Sequence, residues 1–395
     1  MKNNGIGKVA SLPLVLLCVN VMLYFIAVGM NESIIARYTA YLGGDPFQVG
    51  FIWSALFLTS ILLRTISGYI SDYGYRVFML ISGPLIASLG AYIIGSTHSF
   101  TILAIGRMLQ GVATAVYVPA SISSASILSA PEVMGRVLGI RSGIISIGFM
   151  IGPILSGFIV DNYGYYAAFT FITLMFNLAI IPAIFLAKKV ETRRRALRLS
   201  QFIDDARSVL GTRSLLLAII VTVMYTVVYA TISSFLQPIY LEVGLPATAF
   251  SLYMTLFNAI GIPAKLLGGW LSDHYGTLIP ITSGLTSMTV ASILLVYYPY
   301  PPIAYVSAVL LGLGFSPLIP ATQYLALSNI PREKRGIATG FHTMGFDLGN
   351  LLGPLSLGKL AQYLGEYVNV FPILPLFTVT ALILSIILCK PRRDN

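Results

Sequence analysis

The chain has 395 residues, of which 56% are hydrophobic and only 10% are charged. Soluble domains carry about 25% charged residues, so this composition excludes a water-facing globular protein and indicates a chain solvated mainly by the lipid bilayer. The formal net charge of +10 requires no nucleic-acid partner, because the positions of the basic residues explain it.

Twelve apolar stretches follow one another along the chain. Each has about 20 residues or more, the length of a helix that crosses about 30 Å of hydrocarbon. In chain order, predicted helices 1 to 12 are Leu12–Ile35, Gly50–Ile70, Val77–Gly95, Phe100–Ile127, Val137–Ile159, Ala167–Ala187, Ser214–Leu236, Ala249–Leu271, Ile279–Tyr298, Ile303–Leu327, Ile337–Leu364 and Val370–Cys389. The sequence lacks the alternating strands of about ten residues that form membrane β-barrels. It therefore predicts an all-α membrane protein with twelve transmembrane helices.

The basic residues cluster at one side of these helices. They concentrate at both termini and, most densely, in residues 188–213 between predicted helices 6 and 7, whereas the opposite loops contain almost none. Because positively charged loops remain in the cytoplasm, we expect both termini and this linker to be cytoplasmic in a multi-pass protein of the cell membrane. The same residues can attract anionic membrane lipids.

The two halves of the chain resemble each other at a constant offset of 201 residues. Asp72 recurs as Asp273, and Gly152-Pro153 recurs as Gly353-Pro354. The offset holds for predicted helices 2, 4 and 5 against predicted helices 8, 10 and 11. Chance substitutions would not preserve one register over three helices, so the halves are an internal repeat.

This repeat predicts the domain organisation. We expect an amino-terminal six-helix bundle at 1–187, a cytoplasmic basic linker at 188–213 and a carboxyl-terminal six-helix bundle at 214–395. Each half has an even number of helices, so both halves have the same orientation. Such repeats are related by a pseudo-two-fold axis along the membrane normal, with the solute site near the midplane.

Four motifs carry a family resemblance. The loops after predicted helices 2 and 8 contain Gly68-Tyr-Ile-Ser-Asp72-Tyr-Gly74-Tyr-Arg76 and Gly269-Trp-Leu-Ser-Asp273-His-Tyr-Gly276. Predicted helix 4 contains Arg107-Met-Leu-Gln110-Gly111, and predicted helix 5 contains Gly148-Phe-Met-Ile-Gly152-Pro153-Ile-Leu-Ser-Gly157. Over essentially the whole chain these resemble the GxxxD…G, RxxQG and Gly-Pro signatures of the major facilitator superfamily. The first loop copy departs from the pattern, since one residue instead of two separates Asp72 from Gly74.

The resemblance implies a secondary active transporter that moves a small-molecule substrate by alternating access and functions as a monomer. It implies no enzymatic activity and no cofactor. The sequence agrees, because it contains no Walker motif and no Gly-x-Ser-x-Gly motif, and its three His and two Cys residues are scattered without metal-ligand spacing.

Two groups of residues are predicted to serve the conformational cycle. A carboxylate at a helix end can pair with a nearby arginine in one state and release it in another. The gate candidates are Gly68, Asp72, Arg76, Arg136, Gly269 and Asp273. Glycine lets helices approach closely in lipid, and proline bends a helix. The helix-bend and packing candidates are Gly148, Gly152, Pro153, Gly157, Gly353 and Pro354.

Ionisable side chains inside membrane helices are costly and are therefore candidates for function. Glu32 and Asp347 are the proton-coupling candidates. Some multidrug–proton antiporters of the superfamily carry an Asn–acid pair in helix 1, which Asn31-Glu32 resembles, and use an arginine in helix 4, here Arg107. Alternatively, Glu32 pairs with Arg37 at the outer interface.

A wider set of residues is predicted to line the solute cavity. The candidates are Asn31, Arg107, Tyr117, Arg141, Tyr229, His342, Arg64 and Lys265. Arg64 and Lys265 are equivalent positions of the repeat, and alternatively they extend to the cytoplasmic surface. For the tyrosines the alternative is ordinary helix packing.

These residues favour proton-coupled efflux of a small organic solute, because protonation of an intramembrane carboxylate changes which conformation the protein prefers. The alternative is uptake or exchange of a small organic or inorganic anion. The two pairs of equivalent residues, Arg64 with Lys265 and Arg141 with His342, would then form a two-sided cationic clamp.

The predicted topology can be tested by thiol labelling in a background from which Cys18 and Cys389 have been removed. We expect Ser96→Cys to react with an impermeant maleimide in intact cells. Ser200→Cys should react only after the cells are permeabilised, because the positive-inside rule places the basic linker in the cytoplasm. The opposite labelling pattern would overturn the topology.

Overall fold

The structure is a computed structural model that describes residues 11–129, 133–187, 207–331 and 334–388, without the side chains of Thr65, Tyr69, Asp72 and Tyr73. All long elements in these residues are helices: α1 (Leu12–Tyr41), α2 (Pro46–Ile70), α3 (Arg76–Gly95), α4 (Phe100–Leu128), a helix at Met134–Ala187, α7 (Arg213–Glu242), α8 (Ala247–Tyr275), α9 (Leu278–Tyr297), α10 (Ile303–Leu327), α11 (Arg335–Leu364) and α12 (Leu374–Leu388). Gly164 interrupts the Met134–Ala187 helix at φ 82° and ψ 175°. We call the part before it α5 and the part after it α6. A π-helical turn, Ser71–Tyr75, follows α2, and a 3₁₀ turn, Val368–Ile373, precedes α12.

The lengths and composition of these helices match membrane spans. Ten helices of the described residues are long and apolar enough to cross a bilayer, and one of them, Arg136–Ala187, has 52 residues and so contains the two spans α5 and α6. The helix α11 is also 30 residues long, but polar residues such as His342 and Asp347 lower its hydropathy. The predicted all-α membrane architecture with twelve helices is therefore confirmed.

Several helices extend beyond their predicted ends. The apolar pattern ends α1 at Ile35 and α7 at Leu236, whereas these helices continue to Tyr41 and Glu242. The extra turns contain polar residues such as Arg37, which is buried within the protein. Hydropathy marks the part of a helix that lipid can solvate, so it cannot detect turns that are stabilised by packing.

The helices group into two compact units. Unit 1 takes in residues 1–34 and 58–197, and unit 2 takes in residues 35–57 and 198–395, so far as these are described. The division by contacts thus runs through α1 and α2, and their facing ends at 35–57 are counted with unit 2. Of the predicted linker 188–213, residues 188–206 lie outside the described residues.

Glycine allows the closest helix contact within unit 1. A Cβ atom on Gly148 would lie 2.9 Å from the carbonyl carbon of Phe25, and one on Gly152 would lie 2.6 Å from the carbonyl oxygen of Ile26. A hydrogen bond of 2.6 Å between the hydroxyls of Ser33 and Ser156 extends the same contact. Helices α1 and α5 therefore touch backbone to backbone.

Unit 2 repeats this contact between α7 and α11. A Cβ atom on Gly349 would lie 2.7 Å from the carbonyl oxygen of Val223, and one on Gly353 would lie 2.9 Å from that of Val227. Gly349 and Gly353 are the repeat equivalents of Gly148 and Gly152. Gly349 was not among the packing candidates predicted from the sequence.

The segment 35–57 packs against α7 and α11 within unit 2. The backbone N–H of Arg37 donates to Oε1 of Gln237 at 3.2 Å, and Nη2 of Arg37 donates to the carbonyl oxygen of Leu245 at 2.6 Å. On α2, Oγ of Ser54 donates to the carbonyl oxygen of Leu351 at 2.8 Å. A neutral amide and backbone carbonyls thus hold these helix ends.

The two loop motifs each place a glycine in the left-handed region. Gly74 has φ 99° within the π-helical turn, and Gly276 has φ 80° after α8. Residues with a side chain rarely adopt such φ angles, so each turn requires glycine. The different Asp–Gly spacing of the two copies therefore accompanies two different turns, one with a π-helical segment and one without it.

The α1–α5 contact predicts a difference between two glycine variants of the same helix. Gly152→Ala places a methyl group 2.6 Å from the Ile26 carbonyl oxygen, whereas Gly143→Ala meets no atom within 4 Å. Overpacking of this kind typically costs about 1–3 kcal/mol. We expect thermal unfolding in detergent to show a lower Tm for Gly152→Ala and an unchanged or higher Tm for Gly143→Ala. Equal Tm values would contradict the close contact.

Candidate functional site

A buried polar network connects α1 and α4 within unit 1. Nδ2 of Asn31 donates to Oε1 of Gln110 at 3.1 Å, and Nε2 of Gln110 donates back to Oδ1 of Asn31 at 3.3 Å. Nη1 of Arg107 donates to the same Oε1 of Gln110 at 2.9 Å. The three side chains are at most 4% exposed, so Gln110 holds the arginine and the asparagine in place away from water.

Glu32 supplies the acidic member of this network. Its side chain is partly buried, and its charge interacts with that of Arg107. Arg107 is fully buried, and a buried guanidinium needs compensating charge or hydrogen bonds because desolvation is costly.

Sequence reasoning proposed Asn31, Glu32 and Arg107 but omitted Gln110 from the site. The sequence did contain a signal for Gln110, because this residue is the glutamine of the RxxQG motif, three residues after Arg107. One turn of helix separates residues three apart, so both side chains lie on the same face of α4.

Tyr117 contributes to a second polar contact inside unit 1. Its hydroxyl donates to Oδ1 of Asn20 at 2.7 Å, and Nδ2 of Asn20 donates to the carbonyl oxygen of Ala179 at 2.7 Å. The Tyr117 ring stacks on Tyr24 with a centroid distance of 3.7 Å. This fully buried tyrosine thus joins α4 to α1, through both its ring and its hydroxyl. Asn20 had no signal in the sequence beyond being polar in an apolar helix.

Arg141 and His342 make equivalent interhelical contacts in the two units. In unit 1, Nε and Nη2 of Arg141 donate to Oγ of Ser121 at 3.2 and 2.5 Å. In unit 2, Nε2 of His342 lies 3.0 Å from Oγ1 of Thr322 and 3.1 Å from Oγ1 of Thr222. The hydroxyl partners were missed by sequence reasoning, although Ser121 and Thr322 are also 201 residues apart.

An aromatic cluster lies next to this contact in unit 2. The ring of Phe315 is 5.3 Å from that of Tyr225, 4.5 Å from that of Tyr229 and 5.6 Å from that of Phe257. Tyr229 also stacks on Phe257 at 5.3 Å. Such a cluster, contributed by α7, α8 and α10, is buried within unit 2.

Three further ionisable side chains, Asp347, Arg64 and Lys265, lie within membrane helices. Asp347 is 1% exposed on α11, about 18 Å along the helix from its first residue at 1.5 Å per residue. Nη2 of Arg64 donates to Oγ of Ser60 on its own helix at 2.9 Å. Lys265 is partly buried on α8. Arg64 and Lys265, at equivalent positions of the repeat, are thus both partly buried.

The gate candidates are only partly described. The side chain of Asp72 lies outside the described residues, whereas Asp273 and Arg136 are exposed and Arg76 is buried. A Cβ atom on Gly269 would meet no atom within 4 Å, whereas one on the neighbouring Gly268 would overlap Pro317 of α10. The close packing of α8 on α10 thus falls on Gly268, just before the motif. The proposed latch stays a prediction.

The other packing candidates lie within continuous helices. The helix that contains Gly157 continues through Pro153, and α11 continues through Pro354. The described residues contain no group of three or more His, Cys, Asp or Glu side chains that could hold a metal ion.

Comparison with known proteins identifies the family. The family model described as Major Facilitator Superfamily matches residues 17–354 and 217–395. The chain is 22% identical over 368 residues to an uncharacterised MFS-type transporter of Methanocaldococcus jannaschii, covering 91% of this chain and 94% of that protein. It is 24% identical over 361 residues to Quinolone resistance protein NorA of Staphylococcus aureus, covering 86% of this chain and 88% of that protein.

The crystal structure of the nucleoside transporter NupG has the same fold, with a TM-score of 0.77, 14% identity and coverage of 96% of this chain and 100% of that one. Together with the helical architecture and the motifs, these matches show that the chain is a multi-pass membrane transporter that belongs to the Major Facilitator Superfamily.

Proposed function

We propose that this transporter exports a small organic solute in exchange for protons. The observation that carries the proposal is the buried network of Glu32, Arg107, Gln110 and Asn31. It places a carboxylate beside a fully buried guanidinium in a membrane helix. Ionisable groups are rarely retained in such a place without a role in transport.

The network supplies a physical route from proton binding to conformational change. With Glu32 ionised, its charge and that of Arg107 offset each other in a medium of low dielectric constant. Protonation of Glu32 leaves the guanidinium uncompensated, so a conformation that admits water or solute to Arg107 gains stability relative to one that excludes both. Proton binding and the exposure of the site are thereby linked.

The direction of transport and the solute class rest on other observations. The name of the relative, Quinolone resistance protein NorA, supports export of an organic solute. The aromatic cluster around Phe315 suits a planar aromatic solute. We infer efflux of aromatic, amphipathic compounds across the cell membrane by a monomer whose termini are cytoplasmic, with Asp72 and Asp273 as the gate.

The alternative, a carrier for small anions, is supported less well. Its cationic clamp requires Arg141 and His342 to face an anion from both halves. The donor atoms of both side chains that are described, Nε and Nη2 of Arg141 and Nε2 of His342, instead bond hydroxyl groups of their own unit. Inhibition by carboxylates rather than by aromatic amines would favour this alternative.

The proton role of Glu32 can be measured in proteoliposomes with an imposed pH difference and a fluorescent aromatic amine as solute. One proton exchanged per solute can sustain about tenfold accumulation per pH unit, because one unit corresponds to about 1.4 kcal/mol. We expect Glu32→Gln to bind the amine but to lose this accumulation, since glutamine cannot titrate. The exposed Asp161→Asn is the control that should keep it.

Asp347→Asn completes this experiment, because Asp347 is the second buried carboxylate candidate. If Asp347→Asn abolishes accumulation and Glu32→Gln does not, the proton site is on α11 instead of α1. If both variants accumulate the amine like the unmodified protein, proton exchange through either residue is refuted.

Arg107 should be needed for turnover and not for insertion into the membrane. Arg107→Lys keeps a positive charge but loses the planar guanidinium that can contact Gln110 and a carboxylate together. We expect about a tenfold or larger loss of transport for Arg107→Lys and a complete loss for Arg107→Ala, with normal amounts of protein in the membrane. The exposed Arg213→Ala should transport normally. Full activity of Arg107→Ala would contradict the role of the network.

A further inference from the structure

The hydrogen bond between α10 and α11 has a defined direction. Oγ1 of Thr322 donates its one hydrogen to the carbonyl oxygen of Leu318 at 2.8 Å. Towards Nε2 of His342, at 3.0 Å, the same oxygen can therefore only accept. Nε2 must then carry the hydrogen, which fixes the tautomer of the neutral imidazole.

The equivalent contact in unit 1 has the same direction on independent grounds. Oγ of Ser121 donates to the carbonyl oxygen of Val118 at 2.8 Å and accepts from Nε and Nη2 of Arg141. Arginine has no acceptor atom, so no other direction is possible there. In both repeats the hydroxyl of α4 or α10 accepts, and the longer side chain of α5 or α11 donates.

This tautomer leaves one atom of His342 unused. Nδ1 carries no hydrogen in the neutral ring and is thus a hydrogen-bond acceptor. The side chain is only 5% exposed, and Nδ1 has no hydrogen-bond partner among the described residues. A buried acceptor without a partner costs free energy, so a group that donates to it is stabilised there.

The nearby polar groups do not satisfy this atom. The hydroxyls of Thr222 and Thr322 both lie at Nε2, on the other side of the ring, and Tyr225 follows Thr222 by one turn of α7. Tyr225 is also a member of the aromatic cluster, with its ring 5.3 Å from that of Phe315. His342 thus contacts α7 one turn before the first ring of the aromatic cluster.

We propose that Nδ1 of His342 accepts a hydrogen bond from an N–H or O–H group of the transported solute, while the aromatic cluster of unit 2 holds its ring system. The proposal rests on the proposed function and names its substrate class as aromatic compounds with a hydrogen-bond donor, amines foremost. A carboxylate has no hydrogen to donate and is disfavoured at this atom.

Two substitutions separate the two nitrogen atoms of the ring. Glutamine reaches the position of Nε2 with an amide N–H and can donate to Thr322, but it places no acceptor at Nδ1. Asparagine places its amide oxygen near Nδ1 but is too short to reach Thr322. His342→Gln therefore preserves the interhelical bond, and His342→Asn preserves the proposed solute contact.

The experiment compares two probes on the purified full-length protein in detergent. Ethidium carries two aromatic amino groups, whereas tetraphenylphosphonium is an aromatic cation without any N–H or O–H group. For His342→Gln we expect about tenfold weaker ethidium binding, equivalent to the loss of one buried hydrogen bond, and unchanged binding of tetraphenylphosphonium. For His342→Asn we expect nearly normal ethidium binding and a lower Tm.

Other outcomes reject the proposal. If His342→Gln binds ethidium normally while His342→Asn does not, His342 serves only to join α10 and α11. If His342→Gln weakens both probes equally, the effect is not a hydrogen bond to the solute. If the unmodified protein binds neither probe, the proposed solute class is wrong and this inference falls with it.

Discussion

The close contact of α1 with α5 is the constraint on which the candidate proton site depends. Helices gain no hydrophobic energy by associating in lipid, so they associate where small residues allow their backbones to touch. Gly152 provides such a place, where a Cβ atom would lie 2.7 Å from the backbone nitrogen of Met30. The next two residues of α1 are Asn31 and Glu32. The glycine therefore fixes the position of α1 at the turn that presents its polar residues to Arg107.

The two repeats share this framework but differ in the chemistry they carry. Gly148 and Gly152 on α5 recur as Gly349 and Gly353 on α11, and both pairs contact the first helix of their unit. Arg107, by contrast, corresponds to an alanine and Gln110 to a leucine of the second repeat. The buried charge network thus has no equivalent in unit 2, where the aromatic cluster lies instead. This separation fits a transporter in which one half binds the proton and the other half contacts the solute.

Sequence patterns predicted the helices well because hydropathy measures the property that lipid selects. The motifs also identified Arg107 and Asn31 as site residues. They could not show that Gln110 joins the two, since a hydrogen bond between helices depends on rotations that no spacing within one helix defines. For the same reason the motif did not indicate Gly268, which lies one residue before it and contacts α10. That Nδ1 of His342 is an acceptor could be inferred only from the donors and acceptors of the hydrogen bonds around Thr322.

The segment 35–57 shows what the proposed cycle demands of the outer helix ends. It is covalently part of α1 and α2 but packs within unit 2, where a Cβ atom on Gly50 would overlap the carbonyl group of Pro354. Alternating access requires these contacts to form and break in each cycle. Arg37 donates here to an amide and a backbone carbonyl oxygen, and hydrogen bonds to such neutral groups are weaker than those to a carboxylate. Backbone contact at glycine likewise involves no interlocked side chains that would have to repack. Two charged contacts of the segment, the hydrogen bond of 2.9 Å from Nε2 of Gln362 to Asp45 and the Lys359 ammonium over the Phe47 ring, lie at an exposed edge, where water weakens them. The packing of this segment is therefore compatible with repeated opening.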